Sequence, residues 1–388
     1  MKRYWALMLA VVMTVSLLSG CGGKQDSEEP VTQVQENPEE KQEENTETSD
    51  TPTELVDLPT SGQNVVQTAV TLIAGEQLDT WEKMGLNVTR THYVSGPPQL
   101  EANPSGDWEV GWIGATAAIN GILNYDMKII GLSGYDYSNM AFVRADSDIA
   151  TAGDCGVPGT FGTAENWKGK DILVGVGTVN YCDLMLTLDA LGLTADDVNI
   201  INMDISTGYQ AFITGEGDIY FPSSTYTTAL QNDDAYVCVH TMEGMDAGMA
   251  GNIIANQEFL EENEDVVVTY LAGALEVLLW LNDEANQEQA AEWFSQVMLD
   301  EFGVETTLEE AKANMGLVGF RDLAFYEGLC EVGEDGLTGL QREFGKFFDY
   351  HVTMGSYEAT QKDTVLEAVD TTYLEKAIEL YKSNNHIQ

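Results

Sequence analysis

The sequence predicts an α/β protein of two lobes, each a mainly parallel sheet flanked by helices, with a helical C-terminal tail packed on the first lobe. Three observations predict this class. Short apolar runs alternate with amphipathic stretches in two successive cycles, the pattern of β-α-β units. Behind a polar leader the chain keeps roughly 325 residues, more than a single core usually supports. Glycine-bearing turns stand between several strand-like runs and the helices after them, which gathers the helix beginnings at one edge of each sheet.

The chain of 388 residues opens with "MKRYWALMLAVVMTVSLLSGC". Lys2 and Arg3 precede an apolar run and then small residues before a cysteine, the arrangement of an export signal. The ending "LLSGC" resembles a bacterial lipobox, so residues 1–21 read as a lipoprotein signal peptide with Cys21 as the lipidated first residue of the mature chain. Residues 22–62 are acidic, dotted with proline and free of aromatics. Such a segment cannot bury enough surface to offset its ordering entropy, and it reads as a disordered stalk. No later run reaches the ~18–20 uninterrupted apolar residues of a membrane-spanning helix. The folded part divides into a first lobe (63–145), a second lobe (146–244) and a return to the first lobe with the C-terminal helices (245–388).

In the first lobe, strands are expected at 65–74, 87–95, 107–114 and 128–134. "SGPPQLEA" opens a helix, with Ser95 or Gly96 as cap and prolines at the first helical positions. "ATAAINGILNYD" is helical. A second cycle begins at "WKGKDILVGVG" (167–177), with a helix over 179–191. The strand-like runs 194–205, 218–224 and the segment "AYVCVHTM" then alternate with the helical "STGYQAFITGEG" and "TYTTALQND". Beyond them the chain is almost wholly helical, and Val267, Leu271, Leu275, Leu278 and Trp280 form a core-facing stripe.

Composition excludes several functions. Seventeen basic residues face 64 acidic ones, a net charge of −47. That field opposes nucleic acid and anionic headgroups, so no nucleic-acid partner is expected, and any anion must be held by local donors. Cys155, Cys182, Cys238 and Cys330 show no CxxC, and their wide spacing leaves disulfide and free thiol both open. The histidines His92, His240, His351 and His386 show no HxxxH spacing, so no metal is expected. No GxSxG elbow is present, and no histidine stands beside a candidate nucleophile, which argues against an enzyme. "GVGTVN" (175–180) is similar to a GxGxxG fingerprint, but Asn180 replaces the third glycine. No cofactor is expected.

The chemistry of that turn survives without a nucleotide. A helix beginning offers unpaired N–H groups and a partial positive end to an electron-rich ligand group. Thr178, Asn180 and Tyr181 add side-chain donors, and the first lobe repeats the arrangement at "SGPPQ" (95–99) and "GWIGAT" (111–116).

Four segments carry a family resemblance. "GLNVTRTHYVSGPPQLEANPSGDWEVGWIGATAAINGI", "WKGKDILVGVGTVNYCDLMLTLDALGLTADDVNIINMD", "YQAFITGEGDIYFPSSTYTTAL" and the helical pair after "ANQEFLEEN" resemble the solute-binding proteins of ABC importers for nitrate, taurine, sulfonates and thiamine precursors. The resemblance covers most of residues 65–383. It implies a periplasmic-binding-protein-like type II fold, a small-molecule ligand held between the lobes, and delivery to a permease with its ATPase. It also implies a monomer touching the membrane only through its lipid anchor. Ligand contacts carried over by the resemblance fall on Ser95, Gly96, Trp112, Gly114, Ala115, Thr116, Thr178, Val179, Asn180 and Tyr181. Ser223, Ser224 and Tyr226 line the second lobe, and Tyr135 and Tyr137 cover a ligand face. No basic residue lies in the three turns. A sulfonate held by N–H groups and hydroxyls remains open beside a flat heterocycle or an amine near Asp136, Asp183 and Asp204. A sensing module of the same fold and an exported enzyme are the alternative functions.

Overall fold

The computed structural model describes residues 55–245, 247–353 and 355–387. The signal segment, Cys21 and most of the expected stalk lie outside the described residues. The chain from there on builds two sheets, each wrapped by helices.

Strand β1 (Val56–Gln63) runs straight into the helix Val66–Gln77. Both differ from the expectations. The stalk does not extend to 62, because β1 sits inside the sheet between two neighbours, with Thr60 and Ser61 buried. Its polar letters conceal this role: the Thr60 hydroxyl, for example, donates to the Thr89 carbonyl at 2.9 Å. The apolar run 65–74 is helix rather than strand. Val66 through Gly75 are all buried, so the helix shows no polar face from which its period could be read.

Strands β2 (Leu86–Tyr93), β3 (Val110–Gly114) and β4 (Met127–Asp136) follow. The helices Gly96–Ala102 and Ala115–Tyr125 connect them. The chain then crosses to the second lobe. There lie β5 (Met140–Arg144), β6 (Asp154–Val157), β7 (Thr160–Phe161), β8 (Asp171–Val174), β9 (Asn199–Asn202), β10 (Ile219–Tyr220) and β11 (Tyr236–Thr241). Because β5 pairs with β10 and β11, the crossing lies at 137–139 and not at 145. β12 (Met249–Asn256) returns to the first sheet, and β13 (Val318–Gly319) closes its edge.

The first sheet has the order β13-β4-β12-β3-β1-β2 and the second β6-β7-β11-β5-β10-β8-β9. Both are mixed rather than mainly parallel. Parallel pairing is confined to β3-β1-β2 and β10-β8-β9, and the pairings around β12 and β5 are antiparallel. The cause is the double crossing. The strand that enters each sheet from the other lobe runs against its neighbours. β12 was hidden in the "AGNIIAN" stretch assigned to helix.

Each lobe has its own core, and a smaller buried cluster of Cys182, Met242 and Met249 joins the two. Trp81, Trp108, Trp112, Tyr270 and Phe348 centre the first. Trp167, Leu184, Leu188 and Phe221 belong to the second. The helix Glu264–Asn282 and the last helix, Thr372–Asn384, contribute buried residues to the first core, as expected for a tail folded onto that lobe.

Candidate functional site

Helix beginnings from both lobes converge on one cleft. Gly114, at the carboxyl end of β3, caps the helix Ala115–Tyr125 with extended backbone and no side chain. Thr178 caps the helix Val179–Ala190 of the other lobe, likewise with extended backbone and with no cap hydrogen bond from its side chain. The two turns meet: a Cβ on Gly114 would stand 2.7 Å from Val179 Cγ1, too close for any side chain there. Gly177 takes φ +82°, a left-handed conformation that favours glycine, and a Cβ on it would lie 3.7 Å from Pro97 of the first lobe. Between the turns the lobes close over a cavity of about 30 Å³. Drug-sized sites run to about 300–1,000 Å³. The cavity in this closed arrangement is smaller than such a site.

A polar frame surrounds the cavity. The buried Gln67 amide donates to the carbonyls of Gly134 (3.0 Å) and Met249 (2.8 Å), tying together the two strands that cross between lobes. The Thr68 hydroxyl accepts from the Gln63 N–H and donates to the Gln63 carbonyl, both at 3.1 Å, which fixes the turn after β1. In the second lobe the Thr178 hydroxyl donates to Gly175 at 2.7 Å. The Asn180 amide donates to Asn139 Oδ1 at 3.2 Å and to the Pro222 carbonyl. Two buried polar atoms on the cavity wall have no partner: Asn139 Nδ2 and Ser223 Oγ.

One carboxylate joins this wall. Asp136 ends β4, is 7% exposed, and accepts from the Ser138 N–H at 2.7 Å. Burial pushes its carboxyl above the usual range, Ser138 pulls it back, and the Asp183 charge adds to the rise. Asp183 itself lies within the second lobe, where its Oδ1 meets His240 Nε2 at 2.8 Å and the other ring nitrogen meets the Thr160 hydroxyl at 2.8 Å. Among the described residues no Lys, Arg or His lines the cavity, and no aromatic ring does.

Of the sequence-predicted positions, Ser95, Gly96, Gly114, Thr178, Val179, Asn180 and Ser223 lie on the cavity. Ser224 opens the helix after Ser223. The remaining positions fall elsewhere. Trp112 is fully buried in the first core, its indole N–H donating to Tyr270 Oη at 2.7 Å. Ala115 is core, and Thr116 meets His351 Nε2 at 3.4 Å and the Cys182 thiol of the second lobe. Tyr135 donates to Glu343 at 3.0 Å beneath the Arg321 guanidinium. Tyr137 packs against Gly248. Tyr181 packs on the second core, and Tyr226 stacks on Tyr209 with ring centroids 4.5 Å apart. Trp112, Tyr135, Tyr181 and Tyr226 find their partners inside one lobe and Tyr137 finds its own between the two crossings, so none of them lines the cavity.

Several lining residues escaped the sequence reading: Gln63, Val65, Gln67, Ala117, Asn139 and Met249. Gln63 ends β1, Val65 caps the helix Val66–Gln77 and Gln67 lies in its first turn, and "SGQN" before an apolar run was the available signal. Asn139 and Met249 belong to the crossings between lobes, which carry no local pattern. The four expected cysteines stand free, Cys155 exposed and Cys182 buried. Among the described residues, no His, Cys, Asp and Glu group could hold a metal.

Two α/β lobes joined by a double crossing, with helix beginnings facing across a cleft, are the architecture of a periplasmic-binding-protein-like fold. No protein-family model matches the chain. It is 26% identical over 239 residues to a putative ABC transporter periplasmic binding protein of Brachyspira hyodysenteriae, covering 60% of this chain and 67% of that one. It is also 26% identical over 308 residues to a putative aliphatic sulfonates-binding protein of Bacillus subtilis, covering 79% and 82%. Its fold matches the alkanesulfonate-binding protein SsuA from Xanthomonas axonopodis pv. citri bound to MOPS. The TM-score is 0.63 at 16% identity, over 82% of this chain and 99% of that one. The chain is thus similar in sequence to proteins named for ABC transport and for sulfonate binding, and its fold is that of the periplasmic binding proteins.

Proposed function

We propose that the protein is an extracytoplasmic receptor, tethered through a lipid on Cys21, that closes its lobes over one small organic molecule and presents it to an ABC permease and its ATPase. It acts as a monomer and as a binder rather than an enzyme. The observation that carries this reading is the meeting of the Gly114 and Val179 turns over a polar-walled cavity. Ser95, Gly96, Gly114, Thr178, Val179, Asn180, Ser223 and Ser224 form its contact set. Relatives named for transport and for sulfonate binding support the same assignment.

A thermal-shift screen tests it, with alkanesulfonates, nitrate, thiamine precursors, aromatic acids and aliphatic amines as probes. A ligand present at 100 times its Kd stabilises the native state by about 2.7 kcal/mol and raises the melting temperature accordingly. One chemical class is expected to do so. A flat response from every class contradicts the receptor reading.

A further inference from the structure

We infer that the ligand is a small aliphatic molecule whose protonated amine is received by Asp136 and whose oxygen is received by Asn139 and Ser223. This rests on the receptor reading above and specifies its substrate class.

The wall of the cleft is chemically lopsided. Among the described residues Asp136 is the only acidic or basic side chain lining it, and the partner it has there is the neutral Ser138. An unpaired buried carboxylate is costly unless something positive meets it, and a ligand cation would supply that partner in a water-poor enclosure. Asp136 already accepts from the Ser138 N–H through Oδ1, so its orientation is set before the ligand arrives. The surrounding −47 charge draws cations towards the cleft rather than away from it.

The other walls fix the rest of the molecule. The apolar contacts available are Val65, Val94, Ala117, Val179, Ile205 and Met249, all aliphatic. Without a ring to stack on, a flat heterocycle gains nothing here over a short alkyl chain. Asn139 Nδ2 and Ser223 Oγ are 3% and 5% exposed by residue and lack partners. Buried groups of this kind are normally hydrogen-bonded. An oxygen on the ligand would satisfy both, assisted by the positive beginnings of the helices Val179–Ala190 and Ser224–Gln231.

Calorimetry on the full-length protein with three probes tests this: ethanolamine, taurine, and isethionate, which replaces the amine of taurine by a hydroxyl. Ethanolamine and taurine are expected to bind, taurine at least tenfold tighter than isethionate. Asp136→Asn is expected to weaken both amines at least tenfold and to leave isethionate unchanged or tighter. Isethionate binding as tightly as taurine overturns the inference, as does an Asp136→Asn protein that keeps amine affinity within twofold. The taurine–isethionate comparison uses the unaltered chain, so it stands even if the variant fails to fold. Failure of all three probes also overturns the amine assignment. The receptor reading then stands or falls separately on the wider screen.

Discussion

Ser223 and Asn180 lie on the same wall, yet their side chains have opposite status. The Ser223 hydroxyl is buried with no partner, whereas the Asn180 amide holds Asn139 and the Pro222 carbonyl. Ser223→Ala removes an unsatisfied group, so stability is expected to hold within about 0.5 kcal/mol while ligand affinity falls. Asn180→Ala orphans buried acceptors and is expected to cost about 1–3 kcal/mol of stability, read by chemical denaturation. Equal losses of stability in the two variants would contradict this division. At this scale the expected positions that line the cavity are those where a helix opens after glycine, serine or threonine, because local backbone alone places them. The expected aromatics lie away from it. A tryptophan such as Trp112 satisfies its indole within the core through Tyr270, and nothing in its neighbours along the chain announces that partner.

At the scale of elements, the turns are held to within an atom's width of each other. Gly114 has room for no Cβ because Val179, a stiff β-branched residue, stands opposite at the start of the other lobe's first ligand-facing helix. Gly114→Ala is expected to hold the lobes apart by overpacking, at about 1–3 kcal/mol. Ligand affinity should then fall roughly tenfold or more, with the melting temperature of the free protein little changed. Unaltered affinity in that variant would show that the two turns do not close on each other. The elements that escaped sequence reading share a physical cause. β1 is a buried strand built of polar residues that bond across the sheet, and β12 borrows its place from strands distant in the chain. Neither carries an alternation of its own. The helix Val66–Gln77 is buried on every side and so has no amphipathic period.

The two lobes are joined by two short crossings, at 137–139 and around 242–248, and by a small buried cluster of Cys182, Met242 and Met249, with Gln67 clamping both strands that continue the crossings. Hinge closure about these crossings is the motion that the proposed receptor requires. The bulk of the two-lobed plan was legible from the alternation of strand-like and helical runs. The antiparallel pairings were not, since they depend on which strand each crossing inserts. Hydrogen exchange of backbone amides, with and without the ligand found by the thermal screen, tests closure most directly. The account predicts that binding protects 95–97 and 114–117 of the first lobe together with 178–181 and 223–226 of the second. Protection confined to one lobe, or falling outside these turns, would contradict it.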